Sequence, residues 1–249
     1  MNPIVSIAAN ELRRLFLSPF AWLILAAVQF LLAVFFYLLL SKFMESTTWQ
    51  SNRGLTEIVV VGLLQVSGLV LLLIAPFISM RLFSDELRSG TIKLLLSAPV
   101  SITELVLGKY IGIMIFFLSL SALIALMPLS LLAGTRLDLG LLASGMTALF
   151  LLSSVLAAIG LFISSLSNSP AIAAISTFVV TILLWIVHIA NDSDNEQLQT
   201  IINYLSLQKH FNALLSGAFN SVDVIYFIII STLFIVLSIC RLDALRTHQ

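Results

Sequence analysis

Three histidines, one cysteine and 12 acidic residues are all that this chain of 249 residues offers for metal binding or acid–base chemistry. Their spacing suits neither. No H-E-x-x-H pair occurs, and no histidine shares a deep apolar run with a carboxylate, so metal-assisted hydrolysis has no ligand set. Serines are plentiful, but the pattern sets no histidine beside one. Gly108-Lys109 lacks the upstream glycine of a phosphate-binding loop and is followed by Tyr110, so the chain alone has no means of hydrolysing ATP. Cys240 has no partner for a disulfide and reads as a packing or lipid-facing residue.

What remains is chemistry of contact, and it concentrates in residues 81–109. Asp85, Glu86 and Arg88 stand at the end of an apolar run, and Gly90 is placed to end that helix. Thr91 can cap a short helix from Ile92 to Ser97, which Pro99 closes. Ser101 and Glu104 then form an S-x-x-E capping box, with Val100 and Leu105 at the positions of a hydrophobic staple. Capping accounts for Glu104. Asp85 and Glu86 read equally well as solvated charges on a helix end and as contacts for a partner. The short helix carries Ile92, Leu94, Leu95 and Leu96 on the water side of the membrane. Its apolar surface has two outlets, the chain's own bundle or a soluble partner, and spacing does not choose between them.

The elements that hold this segment follow from composition. The chain is 60% hydrophobic and 10% charged with zero net charge, where soluble domains carry roughly 25% charged residues. A charge at the bilayer centre costs on the order of 2.5–3.5 kcal/mol, so lipid is the solvent. Nucleic-acid binding, which needs a basic surface, has no support. About 20 apolar residues cross a bilayer as helix, and the runs give six spans at about 19–41, 58–81, 102–134, 139–165, 170–190 and 223–241. The fourth and fifth come from one uncharged stretch, broken at Ser164 to Pro170, where Ser169 is placed to cap and Pro170 fits the first turn. Pro76 and Pro128 kink spans or mark their ends.

Residues 3–17 form an amphipathic helix, with Ile4, Ile7, Ala8, Leu12, Leu15 and Phe16 opposed by Asn2, Ser6, Asn10, Arg13 and Arg14. The Ser18-Pro19 break separates it from the first span, so it is expected to lie flat at the interface. No removable signal peptide is expected. With six spans, one side holds Arg13, Arg14, Arg81, Arg88, Lys93, Lys109, Arg241 and Arg246, and the other holds Lys42, Arg53, Arg136 and Lys209. The excess puts both termini in the cytoplasm. The external segment 192–222 carries Leu198, Ile201, Ile202, Leu205, Leu214 and Leu215 along one face. Its Tyr204, Lys209 and His210 read first as a solvated face and second as contacts for cargo or a periplasmic partner.

Glu86, Gly90-Thr91, Leu94-Leu95-Leu96, Ala98-Pro99-Val100-Ser101, Glu104 and Gly108-Lys109 resemble the E-x-x-x-G-T…L-L…P-V-S…E…G-K pattern of type-2 ABC transporter permeases. The resemblance covers the whole chain. It implies an all-α integral membrane fold, a single domain over 1–249, with an N-terminal elbow helix, six spans, a cytoplasmic coupling segment at 84–100 and an external re-entrant segment. ATPase coupling would then fall to Asp85, Glu86, Arg88, Gly90, Thr91, Ile92, Leu94, Leu95 and Pro99. The partners implied are a separate ABC ATPase holding ATP and magnesium, a second permease of the same or a different kind, and a possible periplasmic accessory protein. No cofactor is implied in this chain. The segment from Asn203 to Phe219, with Asp223 to Phe227, further resembles gliding-motility-associated permeases, a kind found beside gliding and type IV pilus genes, which implies a bacterial inner membrane. Charge-free spans suit a hydrophobic, amphipathic or polymeric substrate. A membrane anchor or force-transmitting subunit of a motility machine is the alternative. A secondary transporter is the weaker rival, since coupling ions usually need carboxylates at mid-membrane and every acidic residue here lies near or beyond a span end.

Overall fold

A backbone withdrawn from water has only its own hydrogen bonds to satisfy it, so long apolar runs become long helices. The computed structural model describes residues 3–45, 54–92, 100–135, 137–187 and 204–247. Its helices are α1 (Pro3–Leu17), α2 (Pro19–Glu45), α3 (Val61–Ser79), α4 (Arg81–Ser89), α5 (Ile102–Ser130), α6 (Leu139–Leu166), α7 (Pro170–Ile186), α8 (Leu207–Leu215) and α9 (Ser221–Thr247). A π-helical turn, Thr56–Val60, leads into α3, and a 3₁₀ turn, Leu131–Ala133, follows α5. No strand occurs among the described residues.

Among the described residues, five helical stretches are long and apolar enough to cross a membrane: Pro19–Glu45, Thr56–Ser89, Ile102–Ala133, Leu139–Leu166 and Ser221–Arg246. The expected fifth span, 170–190, is the exception. Its helix α7 is apolar but 17 residues long, against about 20 for a full crossing, and residues 188–190 lie outside the described part of the chain.

The bundle is built around α6. Of its most apolar stretch 72% is buried, against 17% for α2 and 22% for α9, which makes α2 and α9 peripheral. Small residues allow the close approach: Ser153, Ala157, Ala158 and Ser164 are fully buried, and small side chains let helix backbones come together in a membrane. The serines turn back on their own helix, Ser164 donating to the Leu161 carbonyl at 2.8 Å, so their burial leaves no unmade bond. Leu149, Leu152, Val155, Leu156 and Ile159 fill the space around α6.

Local chemistry fixes the ends. Asp138 caps α6 by accepting from the amides of Gly140 and Leu141. Pro170 takes the first turn of α7 as expected, but Ser169 makes no side-chain cap; it is Ser167 that accepts from the Ser169 amide, at 3.2 Å. Pro76 lies inside α3, and Pro128 sits in the last turn of α5 ahead of the 3₁₀ turn. α8 and the start of α9 meet at one end of the bundle, while α1 and α4 lie at the other.

Candidate functional site

The helical stretch that ends in α4 is longer than a bilayer core can hold. Thr56–Ser89 is 34 residues of nearly continuous helix, about 51 Å at 1.5 Å per residue, where the hydrocarbon is about 30 Å thick. The joint is Met80, between α3 and α4, with the Met80 amide donating to the Pro76 carbonyl at 2.9 Å. α4 ends at Gly90 in the left-handed conformation, φ 74°. A Cβ would be strained there, so glycine at this position fixes where the chain leaves the helix.

At the α4 end lies a buried ionic junction. Lys109, near the start of α5, is 1% exposed, and its Nζ donates to Glu11 Oε1 of α1 at 2.5 Å, to Glu86 Oε1 of α4 at 2.6 Å and to the Leu82 carbonyl at 2.7 Å. It also lies 5.0 Å from the centre of the Phe83 ring. All three ammonium protons have acceptors. One cation thus ties together α1, the extension of the α3 span and the α5 span. The exposed rim of the junction is a second pair, Arg14 to Asp85 at 3.4 Å, with Arg14 also donating to the Arg81 carbonyl at 3.1 Å. Glu86 Oε2 is buried with no hydrogen-bond partner among the described residues.

Glycines seat α1 against α5. A Cβ on Gly108 would lie 2.7 Å from Ile7 Cβ, and one on Gly112 would lie 2.9 Å from Glu11 Cβ and 3.1 Å from the Ala8 carbonyl oxygen. Glu11 can reach Lys109 because the backbones come this close. Phe16 on Phe116, ring centres 5.6 Å apart, continues the contact.

The predicted site residues separate accordingly. Asp85 pairs with Arg14, and Arg88 is exposed. Glu86, read from its spacing as a solvated charge or a partner contact, turns inward to Lys109. Gly90 ends α4, the Thr91 hydroxyl lies 2.7 Å from that of Ser89, and Ile92 is buried. Leu94, Leu95 and Pro99 lie outside the described residues. Ser101 and Glu104 form the capping box, with the Ser101 amide donating to Glu104 Oε2 at 2.9 Å and the Glu104 amide to Ser101 Oγ at 3.2 Å.

Two charged residues were missed for one reason, and both had a signal. Glu11 falls in the stripe Ile4, Ile7, Ala8, Glu11, Leu15, and Lys109 is a lone charge entering an apolar helix. A charge on an apolar stripe at helical spacing asks for a buried partner. His210 repeats the pattern at the other end and corrects its reading as a solvated residue. It shares the buried stripe of α8 with Leu207, Phe211, Leu214 and Leu215. Its Nδ1 is 2.5 Å from Asp223 Oδ1, its Nε2 is 3.2 Å from the Tyr204 carbonyl, and its ring stacks on Tyr226 at 4.1 Å.

A family model described as ABC-2 family transporter protein matches residues 5–244. The chain belongs to that family. It is therefore an ABC permease, a multi-pass membrane subunit of a kind that is generally non-catalytic and works with an ABC ATPase. The match reaches the family and not the gliding-motility branch of it. No curated protein matches the chain. Among the described residues there is no group of three or more His, Cys, Asp or Glu side chains able to hold a metal.

Proposed function

We propose that this permease couples a separate ATPase to export across a bacterial inner membrane, with the α4 end in the cytoplasm and α1 as the elbow helix. On this reading α7 and the residues after it complete a sixth span, both termini are cytoplasmic, and ATP and magnesium are bound by the partner. The ATPase presses on the segment 84–100, with Leu94 and Leu95 as the apolar contact.

The observation that supports this reading most is the Lys109 junction. A push on the loop after Gly90 reaches α4 directly, and α4 continues α3 across Met80. Lys109 adds α5 and α1 to the same body through bonds of 2.5–2.7 Å. The stroke would then tilt two spans together rather than bend one helix. The packed interior of α6 leaves the path between two permeases, identical or different, where α2 and α9 present mostly uncovered apolar faces. A hydrophobic, amphipathic or polymeric substrate suits such walls, and a periplasmic accessory protein could receive it at the α8 end.

The test is ATP hydrolysis by the purified permease–ATPase complex. A variant carrying Glu11→Gln, Glu86→Gln and Lys109→Met removes the charges while roughly keeping volume. The ATPase is expected to remain bound, with the permease-dependent part of hydrolysis reduced at least several-fold. Unchanged hydrolysis would remove the junction from the coupling path.

A further inference from the structure

The charges of the α4 end do not all cancel locally. Glu11 and Glu86 share Lys109, and Asp85 is held by Arg14. Arg81 and Arg88 have no acceptor for their guanidinium groups among the described residues; Arg81 only lies over the Phe20 ring, 5.8 Å from its centre. Both arginines border a groove of about 510 Å³ between α4 and the start of α7, which the Asp85 carboxylate, paired with Arg14, also lines. The lower wall of this groove is apolar. Phe77 and Ile175 line it and are 50% and 65% exposed, and Ile172 and Val179 carry the exposed apolar strip on along α7.

Depth places the groove at the edge of the bilayer. From Thr56 to the Met80 joint the helix has room for about 37 Å at 1.5 Å per residue, enough for the roughly 30 Å hydrocarbon core. Arg81 therefore falls at headgroup level, with Arg88 two turns further out and Phe77 one turn further in. Guanidinium groups match phosphate oxygens in a fork geometry. The first turn of α7 adds partial charge of the same sign, because Ser169 does not cap it. A cationic rim over an apolar wall fits an amphiphile better than a free anion.

We propose that this groove binds an anionic phospholipid of the cytoplasmic leaflet, its phosphate between Arg81 and Arg88 and an acyl chain along Phe77 and Ile175. The assignment rests on the membrane orientation proposed above. It requires neither nucleotide nor ATPase, so its failure leaves the coupling reading standing.

The experiment is native mass spectrometry of the purified full chain in mixed micelles, titrated with dioleoylphosphatidylglycerol or dioleoylphosphatidylcholine. The intact protein is expected to bind phosphatidylglycerol about tenfold more tightly than phosphatidylcholine, in line with two basic groups near an anionic surface. Arg81→Gln with Arg88→Gln is expected to erase that preference. Arg241→Gln with Arg246→Gln, which lowers the net charge equally at exposed positions away from the groove, is expected to retain it. Ala171→Trp, at the exposed lip, keeps both arginines and is expected to exclude the lipid by filling the groove. Equal binding of the two lipids, an unchanged preference in the Arg81/Arg88 variant, or equal loss in the Arg241/Arg246 control would overturn the proposal. So would displacement by an equal concentration of glycerol phosphate, which would make the groove a site for a free phosphate.

Discussion

Removing the cation from the junction should cost more than removing all of its charges. Lys109→Met leaves Glu11 and Glu86, which had shared one ammonium group at 2.5 and 2.6 Å, facing each other where side-chain exposure is only 9% and 16%. Breaking a buried pair from one side typically costs about 3–5 kcal/mol, whereas replacing a whole buried ionic group by neutral residues of similar volume is often close to neutral. In a chain of this size 1 kcal/mol moves the melting temperature by about 2–4 °C. Lys109→Met should therefore melt roughly 6–20 °C below the intact protein in the same detergent. Adding Glu11→Gln and Glu86→Gln should recover at least half of the loss. The assay is thermal unfolding followed by intrinsic fluorescence, with size-exclusion chromatography to separate aggregation from unfolding. A Lys109→Met protein that melts within about 2 °C of the intact one, or a triple variant less stable than the single, would refute the argument that Lys109 balances both carboxylates.

Other parts of the structure make their own predictions. Gly112→Val places side-chain atoms where Glu11 Cβ and the Ala8 carbonyl already crowd a Cβ; it should cost about 1–3 kcal/mol and speed proteolysis within α1, read by limited digestion. Gly90→Ala, at φ 74°, should cost on the order of 1–2 kcal/mol and weaken ATPase stimulation, measured as hydrolysis per complex. Glu104→Ala loses half of the capping box; it should lower the melting temperature slightly while leaving ATPase affinity unchanged in a pull-down. Asp223→Ala strips the buried His210 of the carboxylate 2.5 Å from its Nδ1; it should raise hydrogen exchange in α8 well before it alters α4.

Local features were legible in the sequence and distant ones were not. Ser101 and Glu104 are three residues apart, so their mutual bonds follow from helix geometry alone. Gly90 and Pro170 act within one turn in the same way. The partners of Lys109 are 98 and 23 residues away, and no local spacing announces them. Periodicity did hold part of the answer, since Glu11 and His210 both fall on apolar stripes; a reading that treats charge as solvated by default passes over this. The expected span 170–190 is met only in part: α7 covers Pro170–Ile186, and residues 188–190 lie outside the described part of the chain.

The Glu86 carboxylate is committed inward, so reversing its charge would break the junction and confuse a test of docking. Leu95 offers a cleaner probe. The most direct measurement of the central claim is affinity co-purification in detergent, comparing the intact chain with Leu95→Asp after both are shown to melt at the same temperature. The account predicts that an ABC ATPase accompanies the intact chain and is lost from the variant; an ATPase that never appears, or that the variant retains in full, would contradict it.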